Sequence, residues 1–88
     1  MNIYYSTQFK KDYKRVKKQG KDLKKLKTNI EKLVKNEKLD PKHRDHGLSG
    51  QWKEHRDCHI EPDWILIYRI SEDDLRLERT GSHAELFK

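Results

Sequence analysis

Seven consecutive residues, Trp64-Ile65-Leu66-Ile67-Tyr68-Arg69-Ile70, form a nearly unbroken apolar run in an 88-residue chain that is only 32% hydrophobic and 41% charged. Turn chemistry brackets it, with Glu61-Pro62-Asp63 before and Ser71-Glu72-Asp73-Asp74 after, so the run reads as a central β-strand. The rest of the chain must supply its neighbours.

Trp52 to Ile60 alternates well enough for a strand, and Leu75 to Thr80 supplies another. Asn2 to Tyr5 is a short β-prone segment, followed by Ser6 and Thr7, either of which can cap a helix. Phe9, Tyr13 and Val16 recur at helical spacing until Gly20 ends the element. A second helix from about Asp22 carries Leu23, Leu26, Ile30, Leu33 and Val34 on one stripe, and the short Gly20 connection makes the two helices antiparallel neighbours. Asn36 to Gly50, with Pro41, Gly47 and Gly50, reads as a loop. Gly81-Ser82-His83-Ala84-Glu85 matches a capping box and predicts one last helical turn. The expected order is strand, helix, helix, three strands and a terminal turn. This is an α+β fold over a single domain, residues 1–88, with two antiparallel helices packed on one face of a small, mostly antiparallel sheet.

The net charge of +6 conceals an asymmetry: residues 1–36 hold twelve Lys/Arg against three Asp/Glu, and residues 37–88 hold nine against twelve. The front part is therefore a polyanion-facing surface, while all five histidines lie in the other part. Cys58 is the only cysteine, which leaves no intramolecular disulfide and no Cys-based zinc cage and fits a reducing, cytoplasmic setting. Met1-Asn2-Ile3-Tyr4-Tyr5 lacks a signal-peptide pattern, and no apolar run approaches membrane-spanning length.

Candidate chemistry concentrates between Asp45 and Phe87. Imidazoles and a carboxylate move protons, an arginine holds phosphate, and aromatic rings stack bases, so His46, His59, Asp63, Trp64, Arg79, His83 and Phe87 are the parts of a metal-free RNA-cleaving site. His83 and Phe87 share a face of the last turn, whose N-terminus offers amides to a phosphate; a merely docking Phe87 is the competing reading. Arg79 has the strand parity of Leu75 and Leu77, so a bulge or the strand end must redirect it; the alternative is a salt bridge to Glu78, Glu85 or Asp63. Asp63 could equally be a turn former, Trp64 a core residue, and His43 and His46 parts of a solvated loop. His55 and His59, four apart on a strand, are separated by about 13 Å and cannot share one zinc ion.

These residues together resemble the YafQ branch of the RelE-type toxins, bacterial ribosome-dependent mRNA interferases of type II toxin–antitoxin pairs. The resemblance rests on Asp45-His46, Leu48-x-Gly50-x-Trp52-Lys53, Arg56-Asp57-x-His59-x-Glu61-Pro62-Asp63-Trp64-Ile65-Leu66-Ile67-Tyr68 and Glu78-Arg79-Thr80-Gly81-x-His83-x-x-Leu86-Phe87. It implies a RelE-like β-α-α-β-β-β fold and catalysis by His46, His59, Asp63 and His83. Arg79 would then bind phosphate, and Trp64, Phe87 and Lys53 would contact or shape the RNA. Gly47 stands where the pattern has proline.

The implied reaction is attack of a ribose 2′-OH on the adjacent phosphate, with His83 the first choice for acid or base and with no metal or cofactor. Expected partners are mRNA on the ribosome, ribosomal RNA through the basic helices, and a cognate antitoxin. Two rivals share the fold and the charge: a non-catalytic toxin that binds DNA gyrase, and a plain RNA- or ribosome-binding protein.

Overall fold

The computed structural model describes residues 1–87. The chain runs β1 (Asn2–Tyr5), α1 (Thr7–Lys18), α2 (Leu23–Val34), β2 (His46–Gly47), β3 (Arg56–Glu61), β4 (Trp64–Ser71), β5 (Asp74–Gly81) and α3 (His83–Leu86). The sheet has the order β1-β5-β4-β3-β2, with β1 parallel to β5 and every other pair antiparallel. The apolar run is thus the middle strand, as its composition requires.

The two long helices start where the caps predict. Ser6 Oγ accepts from the Phe9 amide and Asp22 Oδ1 from the Lys24 amide. Their stripes pack on the side of the sheet that presents Cys58, Leu66, Tyr68, Leu75 and Leu77. The stripe of α1 differs from expectation. Tyr13 is 39% exposed, and the position between Phe9 and Val16 is filled by Asp12, which is fully buried.

Alternation along β4 sends Ile65 and Ile67 to the opposite face, where Leu48, Trp52 and Leu86 cover them. The strand is unbroken in apolarity because both of its faces are covered.

Two segments correct the expected boundaries. The predicted loop contains β2, whose two residues pair His46 with Asp57 and Gly47 with Arg56. Residues Gly50–Trp52 form a 3-10 turn rather than the start of a strand, and β3 begins at Arg56. Positive φ at Gly50 (67°) and Glu54 (73°) breaks the extended run that alternation alone suggests. Among the described residues no helix is long and apolar enough to cross a membrane.

Candidate active site

The pleat of β3 puts Asp57 and His59 on the same face as their partners Ile67 and Ile65, away from α1 and α2. β2 brings His46 beside Asp57 from the sheet edge. α3 arrives from the end of β5, held by a complete capping box between Ser82 and Glu85, and presents His83 as its first helical residue. Three histidines from three elements therefore meet around the Ile65–Ile67 face.

His83 is fixed by a residue far from it in sequence. Its Nδ1–H donates to Asp63 Oδ1 at 2.8 Å, and its backbone amide donates to the same oxygen at 3.1 Å. An ionised carboxylate only accepts, so this contact places the proton of a neutral imidazole on Nδ1 and leaves the Nε2 lone pair as a base. Hydrogen bonds from the His83 ring and then its amide lower the Asp63 pKa below the usual carboxylate value. The predicted phosphate seat on these amides is thus filled by the protein's own anion. The Glu85 amide is likewise taken, by Ser82 Oγ.

The His59 ring lies 5.2 Å from the His83 ring, edge to face, and the Phe87 ring lies 6.2 Å from the His83 ring. Phe87 is 38% exposed and open to a stacking base. His43 donates from Nδ1 to the His59 carbonyl at 2.6 Å, tying the residue-41–43 turn to β3. His46 donates from Nδ1 to the Arg44 carbonyl at 2.7 Å.

At the centre sits a group that sequence reasoning passed over. Asp57 is 3% exposed; its Oδ1 lies 3.1 Å from His46 Nδ1 yet has no hydrogen-bond partner among the described residues. Burial raises its pKa, and the charges of His46, His59 and His83 oppose the rise. The signal was present in the spacing, because Asp57 shares strand parity with His59.

Trp64 is not an RNA-stacking surface. It is fully buried, its Nε1–H donates to Thr80 Oγ1 at 2.9 Å, and that hydroxyl donates on to the Ile65 carbonyl. The parity of β4 turns it toward the helix-side core with Leu66 and Tyr68. Lys21 Nζ lies 5.6 Å from the ring centroid.

Arg79 is redirected by a bulge. Tyr68 pairs with Leu77 and Ile67 with Arg79, so Glu78 is the extra residue and burial passes from Leu77 to Thr80. The Arg79 side chain, 21% exposed, donates from Nε to Asp12 Oδ2 at 2.7 Å and from Nη2 to Oδ1 at 3.2 Å. Its ion pair is none of the three that the sequence suggested. Lys53 is exposed behind the Gly50–Trp52 turn and makes no ion pair among the described residues.

Comparison with known proteins agrees with this geometry. The Escherichia coli (strain K12) mRNA interferase toxin YafQ is 49% identical over 87 residues, covering 98% of this chain and 95% of that protein. The structure of YafQ from E. coli strain BL21(DE3) superposes with a TM-score of 0.95 at 48% identity, covering 99% of this chain and 98% of that one. YafQ in the E. coli DinJ–YafQ complex gives 0.93 at 49%, with the same coverage. Residues 1–88 match the family described as "Bacterial toxin of type II toxin-antitoxin system, YafQ". With the fold and the whole length of the chain in agreement, this protein belongs to the YafQ family of toxins.

Proposed function

We propose that this toxin arrests translation by cutting mRNA on the ribosome in the cytoplasm, through attack of a ribose 2′-OH on the neighbouring phosphate. The observation that carries the reading is the His83–Asp63 contact, which leaves Nε2 of an exposed histidine free to take the hydroxyl proton. Asp63 orients the ring. His46 and His59, beside the buried Asp57, are the groups from which the leaving 5′-oxygen is protonated. Arg79 stabilises charge on the phosphorane oxygens, Phe87 stacks a base, and Lys53 meets the backbone. No step calls for a metal or a cofactor.

The lysines of α1 and α2 dock ribosomal RNA. Lys10, Lys11, Lys14, Lys17, Lys18, Lys24 and Lys27 are exposed, whereas Lys25 is paired with Glu61 at 2.9 Å and Lys21 covers Trp64. A cognate antitoxin binds the same half. Between β1, α1 and α2 lies an apolar groove of about 750 Å³, lined by Ile3, Tyr5, Phe9, Tyr13 and Leu26 and rimmed by Lys10, Lys14 and Lys27. Its chemistry fits an amphipathic, acidic helix.

A gyrase binder or plain RNA binder has no use for a histidine held in one tautomer. Mapping mRNA ends after brief expression decides. Wild type yields 2′,3′-cyclic or 3′-phosphate ends with 5′-hydroxyl partners, persists in EDTA and stops at a 2′-deoxy ribose; His83→Gln yields none of these ends. Continued cutting at a 2′-deoxy site sinks the mechanism.

A further inference from the structure

We infer that Asp12, a residue of α1 outside the histidine cluster, is the positioning residue that aims Arg79 at the scissile phosphate. The inference rests on the phosphate-binding role proposed for Arg79.

Asp12 is fully buried on the stripe where α1 meets β5, in a chain whose α1 is otherwise lysine-covered. A buried ion pair is a poor source of stability, since apolar residues of similar volume do as well or better, so its presence is read first as a device for geometry. Its two oxygens are saturated by five donors. Oδ2 accepts from Arg79 Nε at 2.7 Å and from the Thr80 amide at 3.2 Å; Oδ1 accepts from Arg15 Nη1 at 2.8 Å, Arg79 Nη2 at 3.2 Å and Gln8 Nε2 at 3.4 Å.

Two of those contacts bear on Arg79 differently. The Thr80 amide bond seats the backbone immediately after the bulge, which is what turns Arg79 away from the parity of Leu75 and Leu77. The two-point contact with Nε and Nη2 then fixes the plane of the guanidinium and leaves Nη1 as the nitrogen available to a ligand. Arg79 stands on the same rung of the sheet as Ile67, Asp57 and His46. The clamp is thus anchored at the level of the sheet that carries Asp57 and His46.

Arg15 extends the same control to α3. Its Nη2 donates to the Thr80 carbonyl at 2.8 Å, and its Nε lies 2.9 Å from Glu85 Oε2, in the capping box that presents His83. The side chain passes over Gly81 so closely that a Cβ there would collide with Arg15 Nη2. With φ at 157°, Gly81 is the residue that both the backbone and this crossing require.

The experiment is single-turnover cleavage on programmed ribosomes with the full-length protein, using Asp12→Asn, Arg79→Gln, Arg79→Lys and the Asp12→Asn/Arg79→Gln pair, with ribosome binding and melting measured alongside. A misaimed clamp costs about a hundredfold in the chemical step. Asp12→Asn is expected to lose cleavage on that scale with ribosome binding unchanged, and to lose nothing further in the Arg79→Gln background. Arg79→Lys keeps the charge without the planar fork, and it is expected to be nearly as slow as Arg79→Gln while remaining folded. This decides the matter even where Asp12→Asn does not fold. Equal losses from Asp12→Asn in both backgrounds, or a near-wild-type rate for Arg79→Lys, overturn the positioning role. A wild-type rate for Arg79→Gln overturns the clamp itself, and the positioning role with it.

Discussion

Asp12 and Asp57 are both buried carboxylates, 0% and 3% exposed, and their surroundings are opposite in kind. Burial raises both pKa values. For Asp12 the side-chain hydrogen bonds of Arg79, the Thr80 amide and Arg15 outweigh it, so the group titrates below the ordinary carboxylate value. For Asp57, which has an oxygen without a hydrogen-bond partner among the described residues, burial outweighs the nearby histidines and its pKa is raised. One carboxylate has every oxygen hydrogen-bonded, and the other lies buried among histidines with an oxygen that no described residue bonds.

The contrast is sharpest where chemistry and stability separate. His83→Gln, in the Asp57 region, is expected to lower cleavage by roughly a hundred- to ten-thousand-fold, with melting near wild type; an unfolded variant that kept its activity per folded molecule would make His83 structural. Asp12→Ala is expected to lose stability along with cleavage, leaving two guanidinium groups without their anion and costing about 3–5 kcal/mol in denaturant titrations. A loss below about 1 kcal/mol would place the Asp12 network among ordinary surface pairs.

Asp57→Asn is expected to stabilise the protein by roughly 1 kcal/mol at neutral pH while slowing cleavage at least about tenfold. Destabilisation with unaltered cleavage would break the comparison. Acid titration tests its sign. A lowered carboxylate contributes stability above its unfolded value and loses it as pH falls through the folded one, so the advantage of wild type over Asp12→Asn is full at neutral pH and disappears below the ordinary value of 3.8. For Asp57, raised above 3.8, stability is lost as pH rises through the folded value. The advantage of Asp57→Asn therefore grows in the direction in which that of wild-type Asp12 is established. If the stability of wild type relative to the Asn variant moved the same way with pH at positions 12 and 57, the two environments would be alike.

The smallest effect expected is that of Trp64→Phe, which removes one buried hydrogen bond to Thr80 in the well-satisfied region. It costs about 1 kcal/mol of stability and leaves the cleavage rate near wild type. A collapse of activity with the fold intact would return Trp64 to direct contact with RNA.

What the sequence made visible follows the range of the interactions concerned. β4 announces itself by seven neighbouring residues, and the Ser82–Glu85 box by a spacing of three, so both were readable. The redirection of Arg79 was readable as a need, since Leu75 and Leu77 claim its parity. Its partner was not, because Asp12 lies 67 residues earlier amid lysines. Tyr13 looked the better core candidate beside it. β2 was missed because two residues cannot show a period of two. Asp57 and Asp63 each had a local explanation, one in a motif and one in a turn; the β2–β3 pairing reveals His46 beside the first, and the arrival of α3 reveals His83 on the second.

The parallel pairing of β1 with β5, Asn2 opposite Asp74, has a consequence for synthesis. Sequence-distant contacts of this kind form only after the loop between them has closed, and they slow folding. While the protein is being made, α1 and α2 emerge first, with their apolar stripes and their lysines, before the strands that bury those stripes exist. Until residue 81 has cleared the exit tunnel the sheet cannot close on its first strand, and neither the bulge at Glu78 nor α3 has a frame to attach to. The nascent chain is thus a sticky cation before it is a nuclease, and the interval between those two states is when a newly made toxin is most open to capture.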